Sequence, residues 1–155
     1  MTLHRRSFPS GAAGLVSSAM LPRPARSAPP HQIQHGDFHV TVLSDGHFAL
    51  PAEIVAPDAT PAEWTEIEAR LGGSAGVVEA KCNIPLIQTE KDLFLVDLGG
   101  GGKFQPTEGQ LKNALSAAGH DPGAVTKVLL THAHPDHLWG MLGAACKPRF
   151  PNATY

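Results

Sequence analysis

From His132 to His137 the sequence runs His-Ala-His-Pro-Asp-His, which places three imidazoles and one carboxylate within six residues. Neutral imidazole and carboxylate are donor types that Zn2+ accepts at about 2.0–2.2 Å, and mixed shells of this kind also take Fe, Mn or Co. In this spacing His132 and His134 point toward one ion and Asp136 and His137 toward a second, so one loop carries two partial coordination shells. Pro135 restricts its own φ and keeps His134 out of helical geometry, which holds the backbone open before Asp136 and His137 begin a helix running to Leu142. Two zinc ions would bring the pKa of a bridging water toward about 7 and polarise the carbonyl or phosphoryl oxygen under attack. Asp136 is the candidate catalytic residue, accepting a proton as the intermediate collapses. The competing reading is a chance cluster in which Asp136 only faces the dipole of the following helix. Three His and one Asp directly after an apolar strand favour the metal. His39, His47 and His120 lie in strand, turn and loop contexts and read as solvated residues rather than ligands.

The elements that must position this loop follow from pattern. Phe38 to Leu43 has the β-branched content of a strand, Ser44-Asp45-Gly46 the composition of a turn, and His47 to Leu50 a second short strand, which together predict a hairpin. Thr60-Pro61-Ala62-Glu63 is a capping box that opens a helix from Pro61 to about Leu71, ended by Gly72-Gly73, with Trp64, Ile67 and Leu71 expected in the core. Cys82 to Gln88 and Leu93 to Leu98 predict a second hairpin around Thr89-Glu90-Lys91-Asp92, buried deeply at Phe94, Leu95 and Val96. Gly99 to Gly102 reads as a flexible loop. Thr107 with Gln110 reads as another capping box, opening a helix whose apolar face is Leu111, Ala114, Leu115 and Ala118 and which Gly119 closes. Val125 to Leu130 is an interior strand, so the histidine loop begins where a rigid strand ends.

The chain of 155 residues suits one domain. Residues 1–30 read as an export signal and a Pro-rich linker, and 31–155 as the domain. Arg5-Arg6-Ser7-Phe8, a weakly apolar run from Gly11 to Leu21, and Ala25-Arg26-Ser27 resemble a twin-arginine signal with cleavage after Ser27, which predicts a periplasmic or secreted protein with no membrane span. Removing it takes away four of the 12 basic residues and none of the 14 acidic ones, so the net charge moves from −2 to −6, which disfavours nucleic acid as a partner. Cys82 and Cys146 read as two separate core thiols, although an oxidising periplasm leaves their pairing open.

The segment Thr131 to His137 resembles the signature of the metallo-β-lactamase superfamily. More of the chain agrees: Phe38 to Leu50, Asn83 to Ile87, Leu95 to Gly99, and Phe150 to Ala153. These segments are similar to the exported branch that includes methyl parathion hydrolase, with the N-acyl homoserine lactonases as nearer relatives than the β-lactamases. The resemblance implies an α/β fold of the layered α+β kind: the N-terminal half of an αβ/βα sandwich, with a mostly antiparallel, mixed sheet and helices on one face. It makes Asp97 and Thr131 candidates for the shell behind the ligands, where Asp97 would fix an imidazole or a loop amide. Family members have Asp-Thr-Gly where this chain has Asp97-Leu98-Gly99, and often Gly where it has Trp139.

The family's remaining ligands, a further His for each metal and a bridging Asp, come from the second half of the sandwich, so four of seven expected ligands are present here. A half-sandwich with two protein ligands per ion is expected to bind metal weakly, to associate and to have little activity as an isolated, incomplete chain. For the parent protein the expectation is hydroxide attack on a small-molecule lactone, ester or organophosphate at a binuclear zinc site, with a homodimer left open. One rival is a periplasmic metallo-β-lactamase. The other is a catalytically inactive zinc-binding or interaction fragment.

Overall fold

The computed structural model describes residues 30–155. The segments read as an export signal and nearly all of the Pro-rich linker lie outside the described residues. Six strands form one sheet. β1 (His31–His35) turns at Gly36 into β2 (Phe38–Pro51), whose end passes into the short α1 (Ala52–Val55). α2 (Pro61–Leu71) and β3 (Gly73–Ser74) lead into β4 (Val77–Gln88), which pairs antiparallel with β2, β3 and then β5 (Leu93–Val96). α3 (Leu111–Ala117) crosses back to β6 (Lys127–Leu129), which lies parallel to β5 and completes the order β1-β2-β4-β5-β6. This mixed α/β architecture is the one the sequence predicted. No helix among the described residues is long and apolar enough to cross a membrane.

The first predicted hairpin is a single strand. β2 pairs with β4 along its length, from His39 opposite Gln88 to Pro51 opposite Val77, with a register shift between Ser44 and Gly46. Ser-Asp-Gly has turn composition, but here it is a β-bulge: Asp45 is the extra residue, and the strand bends without reversing. Asp45 is wholly buried as a result. The second hairpin forms as predicted around Thr89 to Asp92, where Thr89 N donates to the Asp92 carbonyl at 2.9 Å.

The capping box at α2 is present, with the Thr60 amide donating to Glu63 Oε2 at 2.8 Å and the Glu63 amide to Thr60 Oγ1 at 3.5 Å. Its apolar stripe, however, is not core. Trp64 and Ile67 are half-buried and Leu71 is exposed, because this helix packs only on the end of the sheet beside β3 and β4. α3 starts later than its sequence suggested. Thr107 does not cap it but donates its hydroxyl to the His47 carbonyl, and Gln110 makes no cap bond to the helix backbone.

The core is the face of the sheet that α3 covers. Leu43, Ile84, Leu86, Leu95, Leu98, Leu111, Leu115, Val125, Val128 and Phe150 form one buried cluster. Along β5 only Leu93 and Leu95 are buried, while Phe94 and Val96 turn to the other face and are half-buried. The sequence run had suggested depth on both sides. A buried leucine of this kind contributes about 1.5–3 kcal/mol, so the β5 residues fix the strand's height against α3.

This register places the chemistry. Val96 stands opposite Leu129 at the end of the parallel pair β5–β6, and the Asp97 amide donates to the Leu129 carbonyl at 2.8 Å. Asp97 and Thr131 therefore leave the sheet side by side at its carboxyl edge, where open α/β sheets build their binding sites.

Candidate metal centre

The histidine loop follows β6 and enters α4 (Pro135–Leu138), with His134 as its N-cap in extended conformation and Pro135 at the first helical position. The helix thus begins one residue before the predicted Asp136 and ends sooner than the predicted Leu142, passing after Leu138 into a 3-10 turn over Trp139–Met141. The loop brings all four candidate ligands together. The His132 ring centroid lies 4.6 Å from that of His134 and 3.9 Å from that of His137, and His137 Nε2 is 2.9 Å from Asp136 Oδ2. His132 and His134 are exposed, whereas Asp136 and His137 are half-buried.

Behind them stands Asp97. One of its oxygens accepts from the Thr131 amide and the other from the Thr131 hydroxyl, both at 2.8 Å, and the second also lies 2.8 Å from His137 Nδ1. The Thr131 hydroxyl oxygen in turn is 3.0 Å from His132 Nδ1. An imidazole whose Nδ1–H donates to Asp97 keeps Nε2 free as an acceptor on the side of Asp136. Burial pushes the Asp97 carboxyl up, but the Thr131 amide, His137 and the Thr131 hydroxyl together outweigh it and hold it below the usual carboxylate range. Its backbone is left-handed, with φ of 69°, a conformation that costs a non-glycine residue energy but that aspartate tolerates better than most.

Leu98 and Gly140 seat the loop on the sheet. The Leu98 amide donates to the His137 carbonyl and the Gly140 amide to the Gly99 carbonyl, each at 2.8 Å. A Cβ on Gly140 would fall on the Leu98 carbonyl oxygen. Gly140→Ala should therefore destabilise the protein by about 1–3 kcal/mol and lower metal retention in parallel, as read by thermal melting and metal analysis. Trp139 leaves this contact alone. It is 45% exposed and meets Phe104 edge-on at 6.1 Å, and Phe104 meets Phe48 in the same way at 5.6 Å, a row of three rings at the surface. His39 is exposed and His47 and His120 are half-buried, all outside the loop.

Residues 78–151 match the model of the family described as the metallo-beta-lactamase superfamily. The fold matches the solved structure of AidC, a dizinc quorum-quenching lactonase, with a TM-score of 0.70 and 31% identity over 80% of this chain and 42% of that one. It matches hydrolase AbOPH of the beta lactamase superfamily with a TM-score of 0.71 and 32% identity over 83% of this chain and 44% of that one. Over residues 78–151 in sequence, and in its fold, the chain is similar to the metallo-β-lactamase superfamily. Curated relatives include ribonuclease BN of Enterobacter sp. (strain 638), 38% identical over 82 residues, and of Escherichia coli O1:K1 / APEC, 33% identical over 82 residues. Those alignments take in 49% of this chain, which spans about a quarter of the length of these relatives, 24%.

The buried acids beneath the loop carried no motif in the sequence. Asp45, at the β2 bulge, accepts from the Leu111 amide at 2.8 Å and the Gly100 amide at 3.0 Å, so it is the residue that starts α3 and ties down the glycine run. The run is consequently a wrap rather than a free loop: Gly99 and Gly100 are buried, and a Cβ on either would collide with the carboxylate of Asp45 or Glu108. The signal was faint but present, since consecutive glycines also mark close approach of backbone to another group. Glu108 is 3% exposed. Cys82 is buried with its Sγ 3.4 Å from the Asp136 carbonyl oxygen, and burial together with Asp45, Glu108, Asp136 and Asp97 pushes its thiol up to about 12. Cys146, expected in the core, is exposed; both thiols are free.

Burial raises the Glu108 carboxyl above its usual range; the Gln105 amide opposes this, and the charges of Asp45 and Asp136 add to it. A carboxyl whose native pKa is raised favours folding fully below the pH at which the unfolded residue titrates, about 4.3, and that contribution is lost as pH rises through the raised native value. With chelator present, Glu108→Gln should therefore gain stability over the parent at pH 7 and lose that advantage near pH 4, as read by urea denaturation at the two pH values.

Proposed function

We propose that this chain supplies the metal-binding loop of a zinc-dependent hydrolase whose substrate is a lactone, a carboxylic ester or an organophosphate triester. The carrying observation is the convergence of His132, His134, Asp136 and His137 on one loop with Asp97 and Thr131 behind it. The donor set fits zinc: imidazoles and a carboxylate are its ligands, and an imidazole backed by a carboxylate is the usual support for one. Bound zinc supplies a water of lowered pKa and an electrophile for the substrate oxygen. The chain's own residues do the rest. His132 and His134 would hold one ion, and Asp136 and His137 the other. Asp97 fixes the His137 tautomer and, through the Thr131 hydroxyl, bears on His132. Asp136 takes up a proton at its carboxylate during collapse of the intermediate.

The similarity to a dizinc lactonase and to hydrolase AbOPH, at over 30% identity across four-fifths of the chain, supports the small-molecule reading. The likeness to ribonuclease BN covers less of this chain and less of the relative. Export through the Arg5-Arg6 leader is part of the proposal, and replacing both arginines with lysine should leave the protein in the cytoplasm on cell fractionation. The activity is tested by assaying the protein, isolated from its own cells at its native length, on an acyl homoserine lactone, a phosphotriester, nitrocefin and a transfer RNA precursor. Hydrolysis of the lactone or phosphotriester, lost on chelation and in His132→Ala, is the expected result. Turnover that survives chelation sinks the zinc proposal, and turnover of nitrocefin or RNA alone sinks the substrate class.

A further inference from the structure

We propose that Asp45, Cys82 and Glu108 form a second, buried site for a thiophilic divalent cation such as zinc, separate from the histidine loop. Among the described residues this is the one place where three ligand-type side chains bring donor atoms within 4.8 Å of one another. The three come from different elements. Asp45 is the bulge of β2, Cys82 lies in β4 directly across that bulge, paired with Gly46, and Glu108 ends the glycine wrap just before α3. They are 0%, 8% and 3% exposed.

The second observation is an orphan. Glu108 Oε2 accepts from the Gln105 amide at 3.0 Å, but Oε1 is buried with no hydrogen-bond partner. Buried polar atoms are satisfied in the great majority of cases, and an exception calls for a missing partner. A cation supplies it. None of the ion pairs among the described residues involves Asp45 or Glu108, so two carboxylates share the interior without a basic side chain against them. Such burial is costly without compensation.

The donor chemistry selects the ion. Magnesium and calcium prefer all-oxygen shells, whereas a thiolate with carboxylates suits zinc, and a coordinating thiol gives up its proton on binding. Asp45 keeps its amide bonds to Leu111 and Gly100, because a carboxylate offers about four lone-pair sites, and those bonds orient it as a ligand. The Asp136 carbonyl oxygen, 3.4 Å from the sulfur, is a further donor at hand. An ion here would tie β2, β4 and the glycine wrap to the backbone of the histidine loop, bracing it from behind.

Cobalt distinguishes this site from the loop, which contains no sulfur. In the full chain carrying Cys146→Ser, Co2+ should bind with one thiolate-to-cobalt charge-transfer band in the near ultraviolet, reporting Cys82. Cys82→Ser should abolish the band, and Glu108→Gln should weaken the affinity read from it by at least about tenfold, with both variants still folded by circular dichroism. Absence of the band in the folded Cys146→Ser protein overturns the proposal, as does a band that survives Cys82→Ser. His132→Ala should leave the band in place, so this result stands or falls apart from the hydrolase reading.

Discussion

Asp45→Ala should destabilise the protein by about 2–6 kcal/mol, because it strands two buried backbone amides at about 1–3 kcal/mol each. Those amides, of Gly100 and Leu111, have the Asp45 carboxylate as their acceptor. Set against the 5–15 kcal/mol that is typical of a whole domain, the loss is large enough to populate unfolded chains at room temperature. Asp45→Asn keeps one acceptor oxygen and should lose about half as much. Urea denaturation with chelator present reads both. A midpoint for Asp45→Ala equal to that of the parent would mean that the glycine wrap and α3 do not depend on this carboxylate. The prediction is specific because the residue sits in a segment whose composition suggests an exposed turn, where alanine would be nearly neutral.

Asp97→Asn should leave stability within about 1 kcal/mol, since asparagine also tolerates the left-handed backbone, yet weaken zinc binding at the loop by about 10–100-fold. The side-chain oxygen of asparagine still accepts from the Thr131 amide, as Asp97 Oδ1 does at 2.8 Å. The amide nitrogen that replaces Oδ2 donates, so it cannot accept from His137 Nδ1–H or from the Thr131 hydroxyl. His137 must then change tautomer or turn its ring, and its Nε2 is no longer presented beside Asp136. The split between the two measurements separates a positioning role from a structural one: a purely structural Asp97 would lose stability and metal together.

The clustering of the loop side chains, with Asp97 behind them, was legible in the sequence. The loop could be read because ligand spacing within six residues is a local property, and Asp97 because the resemblance placed it at a strand end. What sequence could not show is what depends on non-local packing. Ser44-Asp45-Gly46 reads as a turn because those residues favour turns, but twelve registered pairs with β4 hold the strand straight through it as a bulge. Thr107 and Gln110 have the spacing of a capping box, yet Asp45, 66 residues before Leu111, performs the capping. The apolar stripe of α2 is periodic and still half-exposed, because periodicity states which face is apolar and not what covers it. Cys82 and Glu108 carry no spacing signal at all, being joined only by the fold.

The central claim, that His132, His134 and His137 are metal ligands, is tested most directly by following the imidazole nitrogens by NMR during a zinc titration of the chain. Zinc should shift the ring nitrogens of those three residues and leave His39, His47 and His120 unmoved. Loop imidazoles that stay unchanged at saturating zinc, or that move no more than the other three, would contradict it.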